Sequence, residues 1–553
     1  MDLAPRYGSL EDSILDTHND DTPIDKNRIR ESTVPLESSS AIEIRTSVLS
    51  ETGAFDRELP SWNRNQVFYA WLLVCFSTGP TSSMSKAYIP TVIQSLAHAL
   101  GHKKNTLQKC SERGDDCYVR FGGGTVQYTS YVLYLKAIYT ALEGLVAIFV
   151  MTFADYSNFR KWLLAVSIIL FGLLACPFVA LSKETWASLT AVSVLYCLML
   201  IVETIYQIIE GSYVPIFMSA ASQKVRPVDA SYNQGDVALR RGAKVSALGL
   251  IMGNLGGILA LIIGVIINYT SGTPRTAGFH NYLLAITIAG VMTMLIGTAS
   301  IFFIPNLRGQ RWGLDNSRPN SRELLALPVQ KFANIAKDVW RYKEVLKFVV
   351  AWVLWNISFA NYLSVNALMF RSTLGLTNSN AEYTVWQLLG NILALTGSLV
   401  WMLLYNWQCQ KNSNTNNVKR IKQSLYTLLF FGWFANLWGA LGANPGCKIG
   451  YKHRWEFWVG LVLFMSTSSA IRSLNRVVYS GMLPKGKENE FFGLEIMLGL
   501  LTGWSEPLLI AVISDRTGNS RMPYIPNTLL FSVAVAIYYW CDIEAGMRQV
   551  GKL

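Results

Sequence analysis

Charge is scarce in this chain of 553 residues. Asp, Glu, Lys and Arg make up 15% of it, against about 25% in an average soluble protein. Histidine is scarcer: the five (His18, His98, His102, His280, His453) all fall outside the apolar runs, so no pair can hold a metal inside one, and no HExxH occurs. A phosphate-binding loop is missing too. Gly481 to Lys487 (GMLPKGK) comes close, but Glu488 stands where Ser or Thr is needed and no strand precedes it. Residues 1–60 lack an apolar core segment, so no secretory signal peptide opens the chain, and the first membrane helix has to act as its own insertion signal. These absences argue against an ATP-driven pump, a metalloprotease and enzymes generally. Nothing in the sequence asks for a metal or a cofactor.

What is abundant is apolar surface. Hydrophobic residues reach 51%, with 17 Trp, 25 Tyr and 25 Phe, and the mean hydropathy is +0.27. That excludes a soluble globular enzyme and a disordered protein, and leaves a polytopic membrane protein. The net charge of +12 does not point to nucleic acid. Arg240-Arg241 and Lys419-Arg420 sit in short gaps between apolar runs, where the positive-inside bias puts them, and no recognition motif accompanies them.

The expected fold is an all-α membrane bundle of twelve spans, near 67–97, 128–153, 162–181, 187–217, 244–268, 281–304, 347–370, 382–405, 421–442, 455–483, 492–513 and 526–543. Each is long enough for about 30 Å of hydrocarbon at about 1.5 Å per residue. The largest break between spans separates the sixth from the seventh. The expected organisation is therefore a cytosolic N-tail without fixed structure (1–60), a six-helix half (61–304), a linker (305–346), a second six-helix half (347–543) and a cytosolic C-tail (544–553). Within the linker, Phe332, Ile335, Val339, Tyr342 and Leu346 recur every three or four residues among Lys331, Lys337, Arg341 and Lys343, which predicts a helix lying on the membrane surface. Lys and Arg are denser in the loops on the N-tail side, so both termini are expected in the cytosol. The tail carries Tyr7-Gly8-Ser9-Leu10, a Tyr-x-x-apolar pattern of the kind sorting adaptors read, and also one that arises often by chance. Cys110 and Cys117 share the long loop 98–127 on the other side; they form a disulfide if that compartment is oxidising and are two loop thiols if it is not.

Polar groups inside the spans carry the functional signal, because a charge near mid-bilayer costs about 2.5–3.5 kcal/mol on insertion scales and needs a partner or a wet cavity. Span 2 has Lys136 and Glu143 two turns apart, span 4 has Glu203 and Glu210 two turns apart, span 10 has Arg472 and Arg476, and span 11 has Glu495 and Glu506. Structural ion pairing explains any one of them about as well as transport does. Span 1 is expected to break in Ser77-Thr78-Gly79-Pro80-Thr81-Ser82-Ser83, where Pro80 frees a carbonyl. Span 7 carries Asn356, Asn361 and Asn366. The sequon Asn356-Ile357-Ser358 lies mid-span, out of reach of glycosylation. Span 5 has Gly249, Gly253, Gly256 and Gly257 at a spacing that lets helices approach closely.

Two segments resemble a known family. The loop Asp155-Tyr156-Ser157-Asn158-Phe159-Arg160-Lys161 is similar to the loop signature between spans 2 and 3 of the major facilitator superfamily, without its usual glycines. Arg476-Val-Val-Tyr-Ser480, followed by Leu483-Pro-Lys-Gly486-Lys487-Glu488-Asn-Glu-Phe491-Phe492-Gly493-Leu494, resembles a block of the autophagy-related vacuolar amino-acid effluxers, a fungal branch of that superfamily. Ser212-Tyr213-Val214-Pro215-Ile216-Phe217, Arg241-Gly242, Ala351-Trp352 and the paired loop cysteines are similar as well. The resemblance covers about 67–548. It departs in span 1, where Thr78-Gly79-Pro80 lacks an acid, and in span 11, where Glu506-Pro507 brings one.

The resemblance implies a major-facilitator-type bundle in the vacuole membrane that exports amino acids such as leucine, isoleucine and tyrosine to the cytosol late in autophagy. A zwitterion needs one cationic and one anionic partner. Arg472 or Arg476 is then expected to meet the carboxylate and Glu203 or Glu210 the amine. Ser77, Thr78, Asn356 and Asn361 would line the cavity, Glu143 would be a second amine or proton site, and Asp155 and Arg160 would serve the gating loop. The alternatives are a transporter of another small solute and a non-transporting scaffold or sensor.

Overall fold

The computed structural model describes residues 64–103, 108–110, 117–155, 159–211, 213, 217, 234–270, 279–304, 339–374, 382–411, 417–483, 494–495, 498–499 and 502–550. The N-tail and its Tyr7 motif, most of the 305–346 linker and the 484–493 segment of the effluxer-like block lie outside these residues.

The first half contains α1 (Arg64–Ala87), α2 (Ile89–Leu100), α3 (Tyr128–Asp155), α4 (Phe159–Ala175), α5 (Trp186–Gly211), α6 (Gln234–Thr270) and α7 (His280–Phe302). The second contains α8 (Lys343–Thr373), α9 (Glu382–Lys411), α10 (Asn417–Leu441), α11 (Arg454–Met482), α12 (Ser505–Thr517), α13 (Tyr524–Trp540) and the short α14 (Ile543–Gln549). Among the described residues, eight helices are long and apolar enough to cross a membrane, or nine if the bent α13–α14 pair is one span. The expected count of twelve is thus not reached on length and composition. One expected span is two helices: α1 stops at Ala87 and α2 starts at Ile89, with Pro90 in its first turn, where a missing N–H costs no hydrogen bond. Another, expected over 492–513, is described as a continuous helix only from Ser505 to Thr517, the 13 residues of α12.

The expected break at Pro80 does not occur; α1 runs through it. Proline at 80 cannot donate to the Phe76 carbonyl. Helix α6 packs against that carbonyl at Gly256, where a methyl group would collide with it. One turn on, a methyl on Gly79 would strike the Gly253 carbonyl. Lipid tails are as apolar as leucine, so helices in a membrane associate through close packing, and small residues permit it.

The loop 98–127 is not wholly irregular. Strands β1 (His102–Lys103), β2 (Cys117–Phe121) and β3 (Gly124–Gln127) form a small antiparallel sheet, with Tyr118 opposite Gln127 and Phe121 opposite Gly124. Gly122 takes φ +57° at the turn, which favours glycine. A disulfide joins Cys110 to Cys117. This sheet marks one end of the bundle, called here the hairpin end.

The buried apolar side chains fall into clusters that follow the halves. One joins Trp71, Tyr88, Phe171, Tyr206 and Tyr282. Another joins Phe348, Trp352, Leu474, Tyr479 and Tyr538, and takes in Val339, Tyr342 and Leu346 of the expected surface helix. A third joins Tyr362, Trp386, Tyr451, Phe464 and Tyr524, and admits Leu133 from α3. Helix α14, placed by sequence in a tail, packs on α8: the Asp542 amide donates to Glu344 (2.8 Å) and the Gln549 side chain to the Arg341 carbonyl (3.1 Å).

Candidate functional site

Helical periodicity separates a lipid-type face from an inward face on three helices of the first half. On α3 the exposed apolar residues Ile138, Leu142, Leu145 and Phe149 form one stripe, which puts Lys136, Thr140 and Glu143 on the opposite side. On α5 the stripe is Val194 and Leu198, with Glu203, Gln207 and Glu210 opposite. On α1 it is Tyr69 and Leu73, with Ser82 and Lys86 opposite. All three polar faces turn toward the bundle interior.

They meet in a first charged cluster. The Lys86 ammonium donates to Glu203 Oε1 (2.7 Å), as do the Ser82 hydroxyl (2.6 Å) and the Gln207 amide (2.8 Å). Glu203 is buried, and its other oxygen, Oε2, has no hydrogen-bond partner. Lys86 is the exception among inward-facing cations, since its side chain is 60% exposed. Glu143, also buried, faces the Thr204 hydroxyl and lies within electrostatic reach of Glu203, Lys86 and Lys136. Lys136 crosses to the second half, donating to the Ala360 carbonyl (3.1 Å), Asn361 Oδ1 (3.0 Å) and the Ser364 hydroxyl (2.8 Å) of α8.

A second cluster lies further from the hairpin end. Glu210 is seven residues beyond Glu203 on α5, about 10 Å along the axis. It is within electrostatic reach of Arg476 on α11 and faces the Cys75 thiol of α1. Arg476 donates to the Ser246 hydroxyl of α6 (2.8 Å). Glu495 is within reach of both Arg472 and Arg476, and Arg472 sits over the Phe359 ring at 5.0 Å.

The residues singled out by sequence therefore divide. Glu143, Glu203 and Asn361 belong to the first cluster, and Glu210, Arg472 and Arg476 to the second. Ser77 and Thr78 are buried and turn their hydroxyls back on α1, to the Val74 (2.7 Å) and Cys75 (3.1 Å) carbonyls. Asn356 is half-buried on α8. Asp155 ends α3, with its side chain outside the described residues, and Arg160 is half-buried at the start of α4. The Glu506 side chain is also outside them. Lys86, Ser82 and Gln207 were missed. The signal for Lys86 was available: it follows the Ser/Thr run of span 1 and lies one turn after Ser82.

At the hairpin end the halves are joined by polar contacts. Asp515 of α12 accepts from the Gln127 amide (3.1 Å) and the Tyr134 hydroxyl (2.9 Å). The Tyr88 hydroxyl donates to Thr384 (3.1 Å).

Comparison with known proteins agrees with this architecture. Residues 63–551 match the family model described as vacuole effluxer Atg22 like. The chain is 48% identical over 492 residues to autophagy-related protein 22 of Candida albicans, covering 89% of this chain and 92% of that one. It is 21% identical over 512 residues to autophagy-related protein 22 of Saccharomyces cerevisiae, covering 87% and 93%. Among solved structures, the human organic anion transporter MFSD10 superposes with TM-score 0.52 at 12% identity, covering 86% of this chain and 99% of that one. A D-xylose-proton symporter superposes with TM-score 0.54 at 10% identity, covering 86% and 98%. At such identities the likeness speaks to fold, and the fold is that of major-facilitator membrane transporters. The chain is a multi-span membrane protein of this fold and belongs to the vacuole effluxer Atg22-like family.

Proposed function

We propose that the protein is a secondary transporter that carries amino acids such as leucine, isoleucine and tyrosine from the vacuole lumen to the cytosol by alternating access, returning products of autophagic degradation. Both termini face the cytosol and the disulfide hairpin faces the lumen. The family's description as vacuole effluxers and the autophagy-related names of its members support the place and the direction. The observation that carries the reading is the first cluster: two lysines and two carboxylates on the inward faces of α1, α3 and α5, with Lys86 exposed there. Charges kept inside a bundle at this depth suit a wet path for a small polar solute.

In this reading Glu143 is the residue for proton coupling. Arg472 and Arg476, placed with Glu210 and Glu495 and not with Glu203, close the cytosolic end. Radiolabelled amino-acid counterflow in liposomes, run over a substrate panel, tests the proposal. Exchange of leucine, isoleucine or tyrosine is the expected result. Flux of another solute class alone would replace the cargo, and no flux at all would favour a scaffold or sensor.

A further inference from the structure

We propose that Lys86 receives the carboxylate of the cargo and that Glu203, released from it, turns to the cargo's ammonium, so that the Lys86–Glu203 pair is an exchange site for one zwitterion. This deepens the amino-acid reading and rests on it.

Three observations carry the assignment. The first is the uneven use of the Glu203 carboxylate. Three donors converge on Oε1 while Oε2 is buried without a partner. A buried carboxylate oxygen without a donor is costly, and an incoming ammonium, with three N–H groups, supplies one. The second is where space lies. Lys86 points away from the Tyr69–Leu73 lipid-type face, yet its side chain is 60% exposed. Gln207, on the inward face of α5 and bonded to the same Oε1, is exposed too. Two of the three donors to Glu203 Oε1 are thus exposed side chains. The third is charge. Lys86 and Glu203 neutralise each other when the site is empty, and a zwitterion inserted between them leaves the site neutral. A bare amine or a bare carboxylate leaves one member of the pair uncompensated, which low-dielectric surroundings penalise. The donor left over on Asn361 (Nδ2, buried and unpartnered) lies on the facing half, whose Oδ1 Lys136 holds.

The test uses the full-length protein in liposomes, with labelled leucine counterflow competed by leucinamide, which lacks the carboxylate, and by 4-methylpentanoate, which lacks the amine. Wild type should prefer leucine strongly over both. Lys86→Met should raise the KM for leucine roughly 10- to 150-fold, the range spanned by one charge-assisted hydrogen bond, and should abolish the preference over leucinamide. Lys86→Arg should restore that preference. Glu203→Gln should instead erode the preference over 4-methylpentanoate, and this second variant keeps the test open if Lys86→Met does not fold. A Lys86→Met protein that loses turnover but discriminates against leucinamide as well as wild type does would assign Lys86 a structural role and overturn the proposal. Wild-type protein inert toward every amino acid would refute the amino-acid reading itself, a different failure.

Discussion

Removing the Asp515 carboxylate should loosen the hairpin end. Asp515 takes two hydrogen bonds from the other half, one from the Gln127 amide at 3.1 Å and one from the Tyr134 hydroxyl at 2.9 Å. Gln127 ends β3 and Tyr134 lies two turns into α3, so one side chain ties the hairpin and a first-half helix to α12. Hydrogen bonds to charged groups contribute about 1.5–3 kcal/mol each. Asp515 is only half-buried, so the low end applies, and the pair is worth about 2–3 kcal/mol. At about 1.4 kcal/mol per factor of ten, Asp515→Ala should move the balance between closed and open hairpin ends by about 30- to 150-fold toward open. Asp515→Asn keeps one acceptor and should move it about tenfold. Spin labels at the exposed positions Thr125 and Thr517, read by pulsed electron spin resonance, report the separation of the two halves at this end. Wild type should show one short distance, and Asp515→Ala should add a longer one. Tyr134→Phe should have little further effect in the Asp515→Ala background, because its partner is already gone. Identical distance distributions in wild type and Asp515→Ala would refute the reasoning, as would full additivity of the two substitutions.

Two packing predictions follow. Gly79→Ala drives a methyl into the Gly253 carbonyl, whereas Gly253→Ala meets only the Cys75 carbonyl at 3.6 Å; the first should cost about 1–3 kcal/mol and the second little, read as thermal stability in detergent. The buried Glu456 carboxylate accepts from the Trp438 indole (2.8 Å) and from the backbone amides of Gly450 (2.6 Å), Tyr451 (2.6 Å) and His453 (3.0 Å). The Lys452 amide adds a fifth, longer bond (3.3 Å). Glu456→Ala orphans all five donors and should cost at least about 3 kcal/mol, and Glu456→Gln, which keeps one acceptor oxygen, should melt between it and wild type.

Much of the architecture was legible because apolar length and charge position are properties of the chain itself. The spacing of Lys136 and Glu143, and of Glu203 and Glu210, was enough to put each pair on one inward face. Which cation meets which acid was not legible, because that depends on how helices pack. The sequence reading offered Arg472 and Arg476 as partners of either glutamate, and the bundle sets Arg476 beside Glu210 and Ser246. Ser77 and Thr78 read as cavity-lining because Pro80 was expected to break α1. The helix continues through Pro80, since Gly256 of α6 covers the freed Phe76 carbonyl, and the two hydroxyls bond back into it. The same continuity brings Lys86 one turn beyond Ser82, onto the face that meets Glu203.

The polar contacts also sort by whether rocking of the halves would break them. Lys86, Ser82, Glu203, Gln207 and Glu143 all belong to the first half. The close backbone contact of α1 with α6 keeps α1 within that half. The ion pair therefore survives any rigid-body movement between the halves, as a binding site must if it is to be presented to each side in turn. Asp515 with Gln127 and Tyr134, Tyr88 with Thr384, Lys136 with Asn361 and Ser364, and Arg476 with Ser246 all join one half to the other. Those near the hairpin end must part when that end opens, and Arg476–Ser246, beside Glu210, when the opposite end does. Each is a hydrogen bond or a small set of them, worth about 0.5–3 kcal/mol, a scale at which a bound solute can tip the equilibrium. Persistence within one half, joined to the exposure of the Lys86 side chain, is the reason to place the cargo at the Lys86–Glu203 pair.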